Sequence, residues 1–221
     1  MQFRASRDLR HDRRVRRVRA WPAALLLAVA QAADARAADE PSAPAPHAVA
    51  AAAPDVPAHP FDRGALGVEF TLGWLGEAWN LNDGREWLLD GTAAVWWSFA
   101  DRLMLVTAFH AARVSQGTPR PAFVNGFSPQ LRYALRRSER WTLFVELGPG
   151  ISWSDTTVPP RGTRFNYLLL AGSGVSRRLT RQCHALAAFR WLHISNNGRE
   201  GRGRNPDIEA LGGYGGLAVV F

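Results

Sequence analysis

The feature that most limits what this chain can fold into is a two-residue alternation repeated along residues 65–221. In 141–153, Trp141, Leu143, Val145, Leu147, Ile151 and Trp153 share one parity. Thr142, Glu146, Gly148, Gly150 and Ser152 share the other. In 126–137, Phe127, Leu131, Tyr133 and Leu135 alternate with Ser128, Gln130, Arg132 and Ala134. In 65–76, Val68, Phe70, Leu72 and Trp74 alternate with Glu69, Thr71 and Gly73. Successive side chains of a strand point to opposite faces, so each segment is a strand with one apolar face and one polar or small face. No long segment after Gly64 carries the spacing of an amphipathic helix.

Strands are expected at 65–76, 91–100, 102–113, 126–137, 141–153, 165–178, 183–195 and 207–221. A soluble sandwich would also alternate, with its apolar face turned inward. Here Glu69, Arg132, Glu146 and Arg190 stand at strand centres among many Gly and Ala. Strands of about ten residues with an apolar outside and a polar inside describe a transmembrane β-barrel. The expected fold is therefore all-β, an eight-stranded antiparallel transmembrane β-barrel filled by its own side chains. Trp74, Trp97, Phe99, Phe127, Trp141, Trp153 and Trp191 are expected in interfacial girdles, with core packing the alternative. The connections support the barrel. Residues 100–102, 136–140 and 177–182 are short turns, whereas 77–90, 114–125, 154–164 and 196–206 are longer and rich in Gly, Pro and Asn. Short and long alternate, as in outer-membrane barrels with short periplasmic turns and longer outside loops. The terminal Phe221, in phase with Leu217 and Val219, looks like the assembly signal of such proteins.

The charge is unevenly placed. The net charge is +8, all the basic residues are Arg, and eight of those Arg lie within the first nineteen positions. The rest of the chain is close to neutral, which argues against a nucleic-acid partner held by phosphate neutralisation. The basic stretch is followed by the apolar run 20–30 and by Ala35-Arg36-Ala37. This three-part pattern makes 1–37 a signal peptide, and the apolar run is too short to span a bilayer as a helix. The twin arginines at 13–14 and 16–17 lack the surrounding pattern of the twin-Arg route. Residues 38–63, Ala- and Pro-rich over most of their length, read as a linker, and 64–221 as the barrel. The single Cys183 excludes an intrachain disulfide.

The chemistry is concentrated in 190–211. His193 and Ser195 lie two apart on one face, within reach of a hydrogen bond. A His beside a Ser is the minimum for an activated hydroxyl nucleophile. Glu209, on the following antiparallel strand, falls opposite or diagonal to His193 and would fix the imidazole. Taken singly, His193 reads as an interfacial histidine and Glu209 as a strand-end charge. Their parity separates them from the lumen. If Arg190 faces inward, His193 and Ser195 face lipid, as does Glu209 beside Leu211. Polar groups on the lipid face are costly at depth, and they make sense if the substrate is itself a lipid of the outer leaflet. The six His are scattered, and no His/Cys spacing fits a metal or any other cofactor.

The strings His193-x-Ser195-Asn196 and Asn205-Pro-x-Ile-Glu209 resemble the lipid A 3-O-deacylase (PagL) and acyloxyacyl hydrolase-like family. Gly162-Thr163-Arg164-Phe165-Asn166 is similar to a segment of its relatives. The chain differs at Asn197, where a small residue is common, and in its Arg- and Gly-rich 198–204. The resemblance implies a serine-type esterase of the outer membrane acting on lipid A of lipopolysaccharide. Ser195 would be the nucleophile, His193 the base and Glu209 its partner. Asn196 and Asn205 would support the oxyanion or the loop. Arg199, Arg202 and Arg204 are expected to hold the substrate's phosphates, or else to form a solvated loop. A phospholipid esterase and a non-enzymatic adhesion or structural barrel stay open as alternatives, as does a homodimer.

Overall fold

The computed structural model describes residues 59–79 and 85–221. Eight strands close into one antiparallel barrel in sequence order, β8 pairing back on β1. They are β1 (Leu66–Glu77), β2 (Trp87–Ala100), β3 (Leu103–Ser115), β4 (Ala122–Arg137), β5 (Trp141–Val158), β6 (Thr163–Arg178), β7 (Cys183–Ser195) and β8 (Ile208–Val220). The expected signal peptide and the linker up to residue 58 lie outside the described residues.

Two expected loops turn out to be half strand or more. β3 and β4 extend to Ser115 and from Ala122, and β5 and β6 extend to Val158 and from Thr163. The β-branched run Thr156-Thr157-Val158 favours extended backbone, so the Pro- and Gly-bearing turn shrinks to the few residues before Thr163. The wall formed by β4, β5 and β6 is consequently the tallest part of the barrel.

The alternation sets inside against outside along every strand. Phe70, Leu72, Trp74, Trp97, Phe109, Leu131, Trp141, Trp153 and Leu217 are exposed on the outer wall. Glu69, Ser128, Gln130, Arg132, Glu146 and Arg190 are buried in the lumen. Trp97 and Trp141 lie toward the short turns, Trp74 and Trp153 toward the long loops, so the exposed Trp form two belts.

The lumen is filled in three layers. At the long-loop end Leu75, Leu88, Val114, Val124, Leu168, Leu192 and Ile194 form an apolar layer. At the short-turn end Phe61, Trp96, Met104, Phe144 and Leu186 form another. Between them lies a charged layer. Arg132 donates to Glu69 at 2.7 and 3.0 Å and to Glu146 at 3.0 Å. Arg190 donates to Glu146 at 2.7 Å and to Gln130 at 3.3 Å, and the Tyr214 hydroxyl donates to Glu146 at 2.9 Å. Buried charge is tolerable only when paired and hydrogen-bonded, and these groups meet both conditions. Glycine leaves room for the long side chains. A Cβ at Gly172 would lie 3.1 Å from Glu146 Oε1 and 2.7 Å from a neighbouring carbonyl.

The residues just before β1 enter the short-turn end. Phe61 is buried against Phe144, with ring centroids 6.4 Å apart. The Ser98 hydroxyl donates to the Pro60 carbonyl at 2.6 Å, His59 Nε2 bonds Thr142 Oγ1 at 2.8 Å, and Asp62 pairs with Arg137. The sequence reading placed 59–63 at the end of the linker. Phe61, a large apolar side chain following an Ala- and Pro-rich stretch, supplies the burial that docks these residues. Burial and the nearby Arg137 guanidinium push the His59 imidazole down to about 4.

Candidate active site

The outer wall of β6, β7 and β8 carries the cluster that the sequence singled out. Antiparallel register sets His193 directly across from Glu209, and Tyr167 across from Ser195. Side-chain parity puts His193 and Glu209 outside, because their neighbours Leu192, Ile194, Ile208 and Ala210 are buried in the apolar layer of the lumen. The contacts follow from that register. His193 Nδ1 lies 2.7 Å from Glu209 Oε1, and His193 Nε2 lies 2.8 Å from Ser195 Oγ. A carboxylate only accepts, so Nδ1 carries the proton toward Glu209 and Nε2 is left to accept from the Ser195 hydroxyl. That is the tautomer in which imidazole removes a hydroxyl proton.

Trp191 belongs to this cluster too, although the sequence reading placed it in a girdle. Its indole Nε1 donates to Glu209 Oε2 at 2.7 Å. Its ring stacks on the His193 imidazole at 6.1 Å and 29°. Glu209 is thus held by one oxygen on His193 and the other on Trp191. The available signal was parity: Trp191, His193 and Ser195 are successive outward positions of one strand.

The loop after Ser195 turns back sharply. Asn197 and Gly198 adopt the left-handed region at φ 54° and 72°. Asn and Gly are the residues that tolerate it best, which accounts for Asn at a position where the related family commonly has a small residue. Asn196 ties the loop together. Its backbone N–H donates to Asn205 Oδ1 at 2.9 Å, its side-chain amide donates to the Arg204 carbonyl at 2.5 Å, and its Oδ1 accepts from Gly198 N–H at 2.9 Å. Asn196 therefore works on loop geometry, and Asn205 keeps its amide NH2 outside that network.

The three arginines of the expected phosphate clamp are not equivalent. Arg199 reaches back to the site wall, donating to the Tyr167 hydroxyl at 3.4 Å and lying over the Phe165 ring at 5.6 Å. Arg204 is exposed and pairs with Glu200 at 2.7 Å. Arg202 sits in the 3-10 turn Arg202–Arg204, and its side chain lies outside the described structure. Ligand atoms of His193, Asp207 and Glu209 lie within 4.8 Å of one another, the one such metal-compatible group among the described residues. Both ring nitrogens of His193 are already engaged, so this geometry favours acid–base work over metal ligation.

A second set of the same residue types lies in the lumen. Asp90 Oδ2 is 3.0 Å from His110 Nδ1, and His110 Nε2 is 2.8 Å from Ser128 Oγ. The three residues stand on β2, β3 and β4 with no spacing signal in the sequence. Gln130 also donates to Ser128 Oγ at 2.8 Å, and Ser128 is completely buried.

A family model described as lipid A 3-O-deacylase (PagL) matches residues 63–217. Among solved structures, the chain is similar to the Neisserial surface protein NspA at 11% identity and a TM-score of 0.51, covering 72% of this chain and 98% of that one. It also matches the outer membrane protein OprG from Pseudomonas aeruginosa at 14% identity and a TM-score of 0.42, over 72% of this chain and 97% of that one. No curated protein matches the sequence. At this level of identity the similarity to NspA shows the fold alone, an outer-membrane β-barrel.

Proposed function

The chain belongs to the lipid A 3-O-deacylase (PagL) family, and from that premise we propose that it hydrolyses an acyl ester of lipid A with Ser195 as nucleophile. The observation that carries the mechanism is the Glu209–His193–Ser195 relay on the outer wall, with bonds of 2.7 and 2.8 Å. A substrate embedded in the outer leaflet reaches that wall from the side, without entering the lumen. The proposal includes export by residues 1–37 and a linker before the barrel.

Ser195 Oγ attacks the ester carbonyl carbon while His193 Nε2 takes the hydroxyl proton. Glu209 stabilises the imidazolium that forms and holds it in register. Trp191 fixes the second Glu209 oxygen and so limits rotation of the carboxylate. The oxyanion needs donors aimed at it, and the free amide of Asn205 is the group we assign to that role. Collapse breaks the bond to the sugar oxygen, which takes the proton from His193 Nε2. Water, deprotonated by the same nitrogen, then releases the fatty acid from Ser195. Arg199, which donates to the Tyr167 hydroxyl, is the group we assign to the phosphate or sugar of the substrate.

The test is mass spectrometry of lipid A and phospholipids from cells expressing wild type, Ser195→Ala or no protein. Wild type should yield lipid A lighter by one ester-linked acyl chain, and Ser195→Ala should match the empty control. Identical lipid A in all three samples would leave a non-enzymatic barrel. Loss of acyl chains from phospholipids instead would make the enzyme a phospholipid esterase.

A further inference from the structure

A second feature of the outer wall lies at the opposite end of the barrel. The turns β4–β5 and β6–β7 bring Arg140, Arg177, Arg178 and Arg181 together around a cavity of about 660 Å³, with Leu179 and Thr180 completing its lining. The turns are joined by a backbone bond from Arg178 N–H to the Arg140 carbonyl at 2.9 Å. No ion pair to a carboxylate involves any of the four among the described residues. The contrast is with Arg137, three residues before Arg140 at the end of β4, which is paired with Asp62. Glu139 is the one acidic residue in these two turns, and it is exposed without an ion pair to them.

The position of this cluster tells what it faces. Trp141 and Arg177 are cross-strand partners, and the Arg177 guanidinium lies 5.2 Å from the centre of the Trp141 ring. Trp141, Leu143 and Val175 are exposed on the lipid side just above it. An interfacial Trp marks the level of the headgroups. The short turns of an outer-membrane barrel lie on the periplasmic side, so these headgroups belong to the inner leaflet. Leu179 is exposed in the same turn, an apolar side chain directed to the same boundary.

The exposed guanidiniums of Arg140, Arg177 and Arg181 at headgroup depth, flanked by an exposed Leu and a Trp, match a phosphodiester that carries acyl chains, and Arg178, half-buried on the lumen parity opposite His184, adds positive charge behind them. We propose that this cavity binds the phosphate of an anionic phospholipid of the inner leaflet. Guanidinium offers paired N–H donors that fit phosphate oxygens. The Arg177–Trp141 stack holds one donor in place, and Arg140 and Arg181 close over the headgroup from the two turns. The acyl chains then run along Leu143 and Val175. This site is separate from the outer-leaflet cluster and stands whether or not that cluster hydrolyses lipid A.

The test uses the full-length mature barrel, reconstituted in detergent and examined by native mass spectrometry with added lipid. Wild type should retain one phosphatidylglycerol in preference to phosphatidylcholine by about tenfold, given the attraction that each basic residue contributes near anionic lipid. Arg140→Gln/Arg177→Gln/Arg178→Gln/Arg181→Gln should lose that preference. Should the quadruple variant fail to show the heat-modifiable gel shift of a folded barrel, the turn-only variant Arg140→Gln/Arg181→Gln is read instead and should reduce the preference severalfold. Equal retention of the two lipids by wild type, or an unchanged preference in the variants, would overturn the proposal. So would displacement of phosphatidylglycerol by equimolar inorganic phosphate, since the site would then take a free anion and not a lipid.

Discussion

Two acid–His–Ser relays run through this barrel, one on each side of its wall. Outside, Glu209, His193 and Ser195 are joined at 2.7 and 2.8 Å. Inside, Asp90, His110 and Ser128 are joined at 3.0 and 2.8 Å. Judged by hydrogen-bond distance, the two are nearly the same device. Their surroundings differ. Ser128 Oγ also accepts from Gln130 and has no exposed surface, so the oxygen is engaged and unreachable. The inner relay sits beside the charged layer and satisfies polar groups that would otherwise be buried without partners. The outer relay has partly exposed members, a Trp on its carboxylate, and a wall that borders lipid. Relay geometry does not by itself make an active site. On the proposed function the face of the strand decides, since a shift of one residue in parity moves a relay from lipid to lumen.

The sharpest way to break the comparison is to remove each hydroxyl in turn. Ser195→Ala should lower hydrolysis of lipid A by a factor of about 10⁴ or more in a purified assay. Ser128→Ala should leave activity per folded molecule within about twofold and lower stability by about 1–3 kcal/mol, since His110 Nε2 loses its partner. The reverse pattern would place the reaction in the lumen.

The charged layer offers the next largest effect. Glu146→Gln leaves Arg132 and Arg190 short of a buried counter-charge and should cost about 3–5 kcal/mol in urea unfolding from detergent or vesicles. Activity of the molecules that fold should be unchanged, because no member of this layer reaches the outer wall. Trp191→Phe probes the other side. It keeps the ring on His193 but removes the donor to Glu209 Oε2, so kcat should fall about tenfold with KM unchanged. A parallel loss of stability of more than about 1 kcal/mol would make Trp191 a structural rather than a positioning residue.

A separate effect concerns the inner end alone. The folded protein holds His59 down at about 4, against an ordinary value of 6.5, through burial first and the Arg137 charge second. The neutral form is the one that docks. Docking of 59–63 is therefore strongest above about pH 6.5 and weakens as pH falls toward 4. The protection of these amides from hydrogen exchange, taken relative to the intrinsic rate at each pH, should fall on acidification across that window, and His59→Gln should flatten the response.

Much of the barrel was legible because a period-two pattern with a charged second face has few solutions. Glu69, Arg132, Glu146 and Arg190 were readable as lumen residues from position alone. His193 and Ser195 were readable because parity binds residues two apart. Glu209 could be brought only to the neighbourhood of His193, and register settled that they are direct partners. The inner relay was illegible because its members come from three strands whose mutual register no spacing reveals. The contact between Trp191 and Glu209 runs diagonally between strands and left no signal beyond parity. The docking of Phe61 was hidden by the Ala- and Pro-rich composition around it, which describes most of that segment but not its end.

The most direct measurement is covalent capture of the nucleophile. The barrel in outer-membrane vesicles is treated with a long-chain alkyl fluorophosphonate, digested, and the adduct located by mass spectrometry. A single adduct on Ser195, absent in His193→Ala and retained in Ser128→Ala, is the predicted result. An adduct on Ser128, or lipid A deacylation that persists in Ser195→Ala, would contradict it.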